Sequence, residues 1–322
     1  MKKQKVVVSL GGNAIQAGNR RSDEEQRQAC YHTAKQLAHL FDKDYEVVIT
    51  HGNGPQVGNI LLQQQLNDSE QLPAMPLDTC GAMSQGMIGY WMQNALLDVF
   101  KQENIHKDVA TIVSQVLVDK NDEAFTNLTK PIGPFYNEQE AIELEKTKGY
   151  DIREDAGRGF RRVVASPKPI DIIEKNIIET LVDNHYVVIA GGGGGIPVID
   201  ENGILVGKEA VIDKDFVSEK LAELINANIL LILTTVDHVA INYKTKDQIN
   251  LHHLTVEEAD KYIKEGQFAE GSMLPKIEAA LKFVNSKPGR KAIITSLDHA
   301  VEAFEGNIGT QITQSEKKLM YC

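Results

Sequence analysis

Three glycine-bearing turns and three lysines are the residues of this chain whose types and spacing could do chemistry. Gly11-Gly12-Asn13, His51-Gly52-Asn53-Gly54-Pro55 and Gly191–Gly195 each follow directly on an apolar, β-branched run. Without Cβ atoms, such turns let backbone N–H groups close on a phosphate or carboxylate, helped by the N-terminus of a following helix. Singly, each reads as a tight strand-to-helix connection; three at one sheet edge read as an anion site. Lys214, between Asp213 and Asp215, and Lys276, in Gly271-Ser272-Met273-Leu274-Pro275-Lys276, both fall in the first turn of an expected helix. An ammonium there opposes the helix dipole and calls for an anionic partner, which for Lys214 the flanking aspartates could supply as ordinary surface charge. Lys130, in Thr129-Lys130-Pro131, reads alone as a solvated side chain. Together the three can neutralise charge spread over a transferring phosphoryl group, a reaction promoted mainly by positioning and electrostatics.

Other motifs carry less. GxxxxGK[ST] does not occur, and Gly191–Gly195 runs into strand-like Ile196-Pro197-Val198 rather than a helix, so a dinucleotide fingerprint is weak. His252-His253 has no third ligand at suitable spacing, and no metal site is read. Cys80 reads as a buried structural thiol, and Tyr90-Trp91-Met92 with Leu96-Leu97 as core or dimer packing. Arg158, Arg161 and Arg162 read as partners of Glu154 and Asp155.

The elements that must position these groups alternate. Val6–Leu10, Tyr45–Thr50, Val109–Val118, Tyr186–Ala190, Ile229–Thr234 and Ala292–Thr295 are near-continuously apolar, the pattern of parallel strands covered on both faces. Ser22 with Glu25, and Thr255 with Glu258, have capping-box spacing; Ser272 with Pro275 suits a first helical turn. Ile170, Ile173, Ile177 and Leu181 predict one amphipathic helix face. Glu201-Asn202-Gly203 predicts a hairpin. The rhythm breaks over 119–169, rich in proline and charge with one helix expected at Glu138–Lys148, which reads as a projecting insertion. The class expected is α/β: a three-layer αβα open sandwich around a mostly parallel sheet.

Composition bounds the rest. The 322 residues are 42% hydrophobic and 25% charged, a globular balance that excludes disorder as the main state. A net charge of −11 disfavours nucleic-acid and membrane-surface partners but leaves room for a small anion at a local cationic cluster. Three scattered cysteines, no secretory leader pattern and no apolar run near the ~20 residues of a membrane span give the expectation of a cytoplasmic protein.

Ser9-Leu10-Gly11-Gly12-Asn13-Ala14, His51–Asn59 (HGNGPQVGN), Glu154–Gly159 (EDAGRG), Ala210–Asp215 (AVIDKD) and Gly271–Lys276 (GSMLPK) resemble the carbamate kinases, a branch of the amino acid kinase fold. The resemblance runs from about residue 5 to about residue 313. It implies a single domain over 1–313 with a protruding subdomain at 119–169, and a homodimer; residues 314–322 are expected to be a frayed tail that the resemblance does not reach. The implied reaction is reversible phosphoryl transfer between carbamoyl phosphate and ADP, giving ATP and carbamate, with Mg²⁺ carried on the nucleotide and a place in arginine catabolism. Other branches of the fold usually carry a lysine two residues before the first Gly-Gly. Here that residue is Ser9, and the resemblance gives its place to Lys130. It further implies that Lys130 and Lys214 hold the transferring group, Asp215 orients them, and Lys276 contacts nucleotide phosphates. Gly11, Gly12 and Asn13 would bind the phosphoryl group, and Gly52, Asn53 and Gly54 the carbamate end. Gly192, Gly193, Asp213, Asp237, Val239, Asn242, Tyr243 and Met273 would serve the nucleotide. Carbamate oxygen is already anionic, so His51 is expected to position rather than act as a base. A non-catalytic nucleotide sensor and a kinase for another small acid stay open as alternatives.

Overall fold

The computed structural model describes residues 3–16, 22–42, 45–155 and 157–314, the side chains of Asn13 and Asp42 apart. Ala156 and residues 315–322, including Cys322 and all but the first residue of the expected tail, lie outside the described residues. The first half of the chain runs β1 (Gln4–Leu10), α1 (Asp23–Asp42), β2 (Tyr45–His51), α2 (Gly54–Leu66), α3 (Leu77–Glu103), β3 (Val109–Thr111) and β4 (Gln115–Val118). There follow β5 (Lys130–Tyr136), α4 (Glu138–Lys148), β6 (Ile152–Glu154), β7 (Phe160–Val164), β8 (Pro169–Ile172), α5 (Lys175–Asp183) and β9 (Val187–Ile189). Then come β10 (Ile196–Glu201), β11 (Ile204–Gly207), α6 (Lys214–Leu224), β12 (Ile229–Thr234), β13 (Val239–Ile241), β14 (Ile249–Leu251) and β15 (His253–Thr255). The chain closes with α7 (Val256–Lys264), α8 (Leu274–Ser286), β16 (Lys291–Ser296), α9 (Ala300–Phe304) and β17 (Thr310–Thr313).

An eight-stranded sheet, ordered β15-β17-β16-β12-β1-β2-β9-β3, forms the centre, and only the β16–β17 pairing is antiparallel. Alternate residues of each strand feed two cores. Val7, Val48, Val188, Leu230 and Ile294 pack against α5, α6, α7 and α8. Val6, Val8, Ile49, Ile189, Leu231 and Ile293 pack against α1, α3 and α9. The run of apolar residues along each strand is thus a demand from both faces at once, each fully buried side chain contributing roughly 1.5–3 kcal/mol. The three-layer αβα class follows directly. Among the described residues, no helix is long and apolar enough to cross a membrane.

The segment 119–169 leaves this frame between β4 and β8, which pair with each other in a second sheet ordered β11-β10-β4-β8. Beyond that pairing, β5, β7 and β6 form their own antiparallel sheet with α4 against it, the helix at Glu138–Lys148 closed by an Asn137–Glu140 capping box. Ile132 and Val164 of this sheet bury against Val57 and Leu61 of α2 and Leu77 and Cys80 of α3, tying the small sheet to the body.

Several expectations need correction. Val109–Val118 is two strands in two sheets, because the chain turns at Ser114, whose backbone is bound on both sides by the Gln85 amide. Ile170 and Ile173 do not belong to a helix: β8 ends at Ile172 and α5 starts at Lys175, burying Ile178 and Val182 while Ile177 is exposed. Apolar spacing alone could not place that break. Arg158 and Arg161 pair with Asp155, but Arg162 reaches Glu209 at 2.8 Å. The capping boxes at Ser22 and Thr255 form, and Asn202 and Gly203 take positive φ to close the β10–β11 hairpin.

The five glycines after β9 are required by packing. Gly194 is buried at φ 87°, and a Cβ on it would collide with the Ile212 carbonyl, which belongs to rigid backbone. Gly194→Ala is therefore expected to cost more than about 1–3 kcal/mol, combining strain with overlap. Urea unfolding monitored by circular dichroism checks this, and an unchanged midpoint would refute it.

Candidate active site

The carboxyl ends of β1, β2, β12 and β16 meet at one edge, where the connection from β1 and the strand arriving at β12 diverge. In open α/β sheets ligands bind at such a divergence. Around the edge lie two adjoining hollows that share Thr234, Thr235 and Lys276. One, of about 480 Å³, is lined by Gly11, Gly12, Lys214, Ser296 and Asp298 among others. The other, of about 140 Å³, is lined by Val236, His238, Ala240, Tyr243, Phe268 and Met273 among others.

The start of α6 organises the charge. Asp213 caps the helix, its side chain accepting from the Asp215 N–H at 2.9 Å. Its other carboxylate oxygen takes the Lys130 ammonium at 3.0 Å, so β5 of the three-stranded sheet is tied to the helix N-terminus. Asp215, only 3% exposed, accepts Lys214 Nζ on Oδ1 at 2.6 Å and Lys276 Nζ on Oδ2 at 3.0 Å. Burial would raise the Asp215 pKa, but the Lys214 and Lys276 ammoniums outweigh it and hold the carboxyl well below its usual range. Three lysines from three distant stretches thus meet at two aspartates of one helix turn. Three positive charges against two negative ones leave a local surplus of one positive charge in a chain of net −11.

The second turn lies alongside. Gly52 donates its own N–H to the Leu10 carbonyl at 3.1 Å, so that amide is engaged in holding β1 and β2 in register. Asn53 is buried, and its amide donates to Ser84 Oγ at 2.7 Å. Gly54 opens α2 at an exposed position. His51 is buried, with Nδ1–H donating to the Gly52 carbonyl at 2.9 Å. Burial outweighs the opposing effect of the Gly52 bond and, with a smaller push from Lys214 in the same direction, lowers its pKa to about 4. A neutral imidazole tied to its own backbone suits positioning.

The expected nucleotide residues divide. Tyr243 and Met273 line the smaller hollow. Val239 is fully buried in β13, Asn242 directs its N–H to Gln267, and Asp237 turns to His299 at 3.0 Å, so none of these three lines it. Asp213 holds Lys130 instead. Gly192 and Gly193 press on His51 and Asn53, at the β2 end rather than beside Met273. Sequence reasoning missed the Gln267–Ala269 wall and the Ser296–Asp298 turn. The latter follows β16 as the glycine turns follow β1 and β2, so its place at a strand end was the available signal; Gln267–Ala269 offered none.

The chain matches the model of the amino acid kinase family over residues 4–296. It is 54% identical over 315 residues to the carbamate kinase of Latilactobacillus sakei, covering 98% of this chain and 100% of that one. To the carbamate kinase of Clostridium perfringens it is 53% identical over 315 residues, covering 96% and 100%. The carbamate kinase from Giardia lamblia bound to AMP-PNP superposes with a TM-score of 0.90 at 46% identity, over 97% of this chain and 98% of that one. A UMP kinase from Bacillus anthracis, at 15% identity and TM-score 0.55, shares the fold alone. The chain belongs to the amino acid kinase family and, within it, to the carbamate kinases, a group of phosphotransferases.

The buried neutral His51 has a consequence for stability. Its folded pKa, about 4, lies below the ordinary 6.5, so between those values the unfolded chain binds more protons and stability falls as pH falls. His51→Asn should flatten the acid limb of the stability curve by up to about 3 kcal/mol between pH 6.5 and 4, whatever its stability at neutral pH. Denaturant midpoints across that window test this, and parallel curves for the two proteins would contradict it.

Proposed function

We propose that this site moves a phosphoryl group reversibly between carbamoyl phosphate and ADP, yielding ATP and carbamate, in a cytoplasmic enzyme of arginine catabolism that works as a homodimer. The observation that carries the reading is the convergence of Lys130, Lys214 and Lys276 on Asp213 and Asp215 at a helix N-terminus beside a glycine turn. A metaphosphate-like group needs positive charge on its oxygens and in-line positioning, with little covalent chemistry from the protein. Lys214 and Lys130 supply that charge to the transferring group, and Lys276, at the junction of the two hollows, supplies it to the nucleotide phosphates. Gly12 supports this role. A Cβ there would meet no protein atom within 4 Å, so packing does not demand glycine and the bare backbone leaves room for the ligand.

The apolar hollow at Tyr243, Phe268 and Met273 suits the nucleoside. Gly11, Gly12 and Asn13 take the phosphoryl side, and Asn53 and Gly54 the carbamate side. Gly52 contributes through geometry, since its N–H is already bonded. Carbamate oxygen needs no base, in keeping with a neutral His51. Mg²⁺ fits as an ion carried by the nucleotide, because both aspartates of the turn are already committed to lysines and the phosphates bring hard oxygen donors. When bound it neutralises charge on the phosphate oxygens. The protruding unit over 119–169 serves to deliver Lys130. For the homodimer, α3 leaves Met83, Tyr90 and Leu97 exposed around a buried Trp91.

Mixing the chain with ADP, Mg²⁺ and carbamoyl phosphate should yield ATP in a coupled assay. Lys214→Ala should stay folded and lose roughly 10²–10³ in turnover. Near-normal ATP formation by that variant, or none by the parent chain, would reject the proposal.

A further inference from the structure

Beneath Lys214 lies a buried cluster of hydroxyls that the phosphoryl chemistry itself does not touch. Ser9, at the end of β1, Thr50, at the end of β2, and Ser218, on the second turn of α6, are all fully buried. Lys214 Nζ donates to Ser9 Oγ at 2.8 Å, and Ser9 Oγ donates to Asp215 Oδ1 at 3.1 Å. Ser218 Oγ lies 3.0 Å from Ser9 Oγ, 2.7 Å from the Lys214 carbonyl and 2.6 Å from Thr50 Oγ1. Three hydroxyl groups from two strands and a helix thus touch one another in the floor of a cationic site. Three apolar side chains would fill that floor without the need to satisfy any polar atom.

We propose that Ser9 is a positioning residue that aims the Lys214 ammonium into the cleft. The argument is a count of directions. A lysine ammonium has three N–H bonds and rotates freely about its last carbon unless partners stop it. Asp215 Oδ1, at 2.6 Å, fixes one bond. A single acceptor leaves the other two free to swing around that axis. Ser9 fixes a second bond from a different direction, and two fixed bonds define the third, which is the one left for a bound anion. Ser9 can act as acceptor here because Asp215 is held ionised and cannot donate. The serine proton goes to that carboxylate, leaving its lone pairs toward Lys214. Ser218 braces Ser9 in turn, since its oxygen is anchored on the Lys214 carbonyl one helical turn back. The inference rests on the phosphoryl-transfer reading above and assigns to Ser9 a task distinct from substrate contact.

The test compares the full chain with Ser9→Ala, Ser9→Cys and Thr50→Val. Ser9→Ala should keep its circular dichroism and lower kcat about 10- to 100-fold, as loss of an orienting partner does elsewhere, with KM for ADP and carbamoyl phosphate within about threefold. Ser9→Cys, a close volume match with a poor acceptor, should show the same loss and covers the case in which Ser9→Ala fails to fold. Thr50→Val removes a buried hydroxyl that does not touch Lys214, and should change thermal stability more than kcat. A Ser9→Ala kcat within twofold of the parent, or an equal loss in Thr50→Val, overturns the proposal. A second readout needs no turnover: in protein carrying ¹⁵N-lysine, the Lys214 ammonium, identified by its absence in Lys214→Arg, should exchange slowly with water in the parent and rapidly in Ser9→Ala. Equal exchange in the two refutes the role of Ser9 even if the assigned reaction itself were wrong.

Discussion

One buried carboxylate holds the site together. Asp215 is almost inaccessible, and a lone carboxylate in such a place would be driven to its neutral form. It stays charged because Lys214 and Lys276 bond its two oxygens from opposite elements, one from its own helix and one from α8. The dependence is mutual. Two ammoniums brought together would repel, and each lies near a helix start whose dipole disfavours it. The shared carboxylate makes their proximity tolerable and leaves part of each positive charge for an anion in the cleft. Removing it would leave like charges facing one another at low dielectric, a costlier defect than an empty cavity.

The same turn of α6 serves a second partner. Asp213 caps the helix through one oxygen and binds Lys130 through the other, so helix termination and delivery of the third lysine are one interaction. That link depends on packing remote from charge. Ile132 and Val164 bury against α2 and α3, and this apolar contact sets where β5 begins and hence where Lys130 stands. Electrostatics in this protein works on geometry that hydrophobic burial has already fixed.

The glycine turns illustrate how one residue type answers different demands. Gly12 borders open space, and its bareness serves a ligand. Gly192, Gly193 and Gly194 are hemmed in by His51, Asn53 and the Ile212 carbonyl, and their bareness serves close packing. The Ser114 hydroxyl accepts the Gly191 N–H, and Gln85 holds the Ser114 backbone, so a polar frame carries the run where a strand would otherwise continue. The His51 imidazole, within the field of Lys214, and the Asn53 amide, bonded to Ser84, are thereby locked in place without touching the lysine pairs.

Local pattern was enough for much of this molecule. Apolar runs at β1, β2, β12 and β16, the capping boxes at Ser22 and Thr255, and the Asn202-Gly203 turn are decided by neighbours within a few residues, where propensity and periodicity speak directly. The order of motifs, VIDKD and GSMLPK among them, was legible in the same way and carried the phosphotransferase character. Tertiary structure alone decided which groups meet. Nothing local says that Lys130 stands against Asp213, that Asp215 pairs with Lys276 beside Lys214 rather than with Lys130, that Val239 turns into the core, or that Gly192 and Gly193 press on the β2 turn. It also decided that the chain breaks at Ser114 and again between Ile172 and Lys175, because each break is set by hydrogen bonds or sheet pairing with distant residues. Contacts between residues separated by tens to hundreds of positions depend on the simultaneous placement of several elements, and a pattern read a few residues at a time holds no record of that placement.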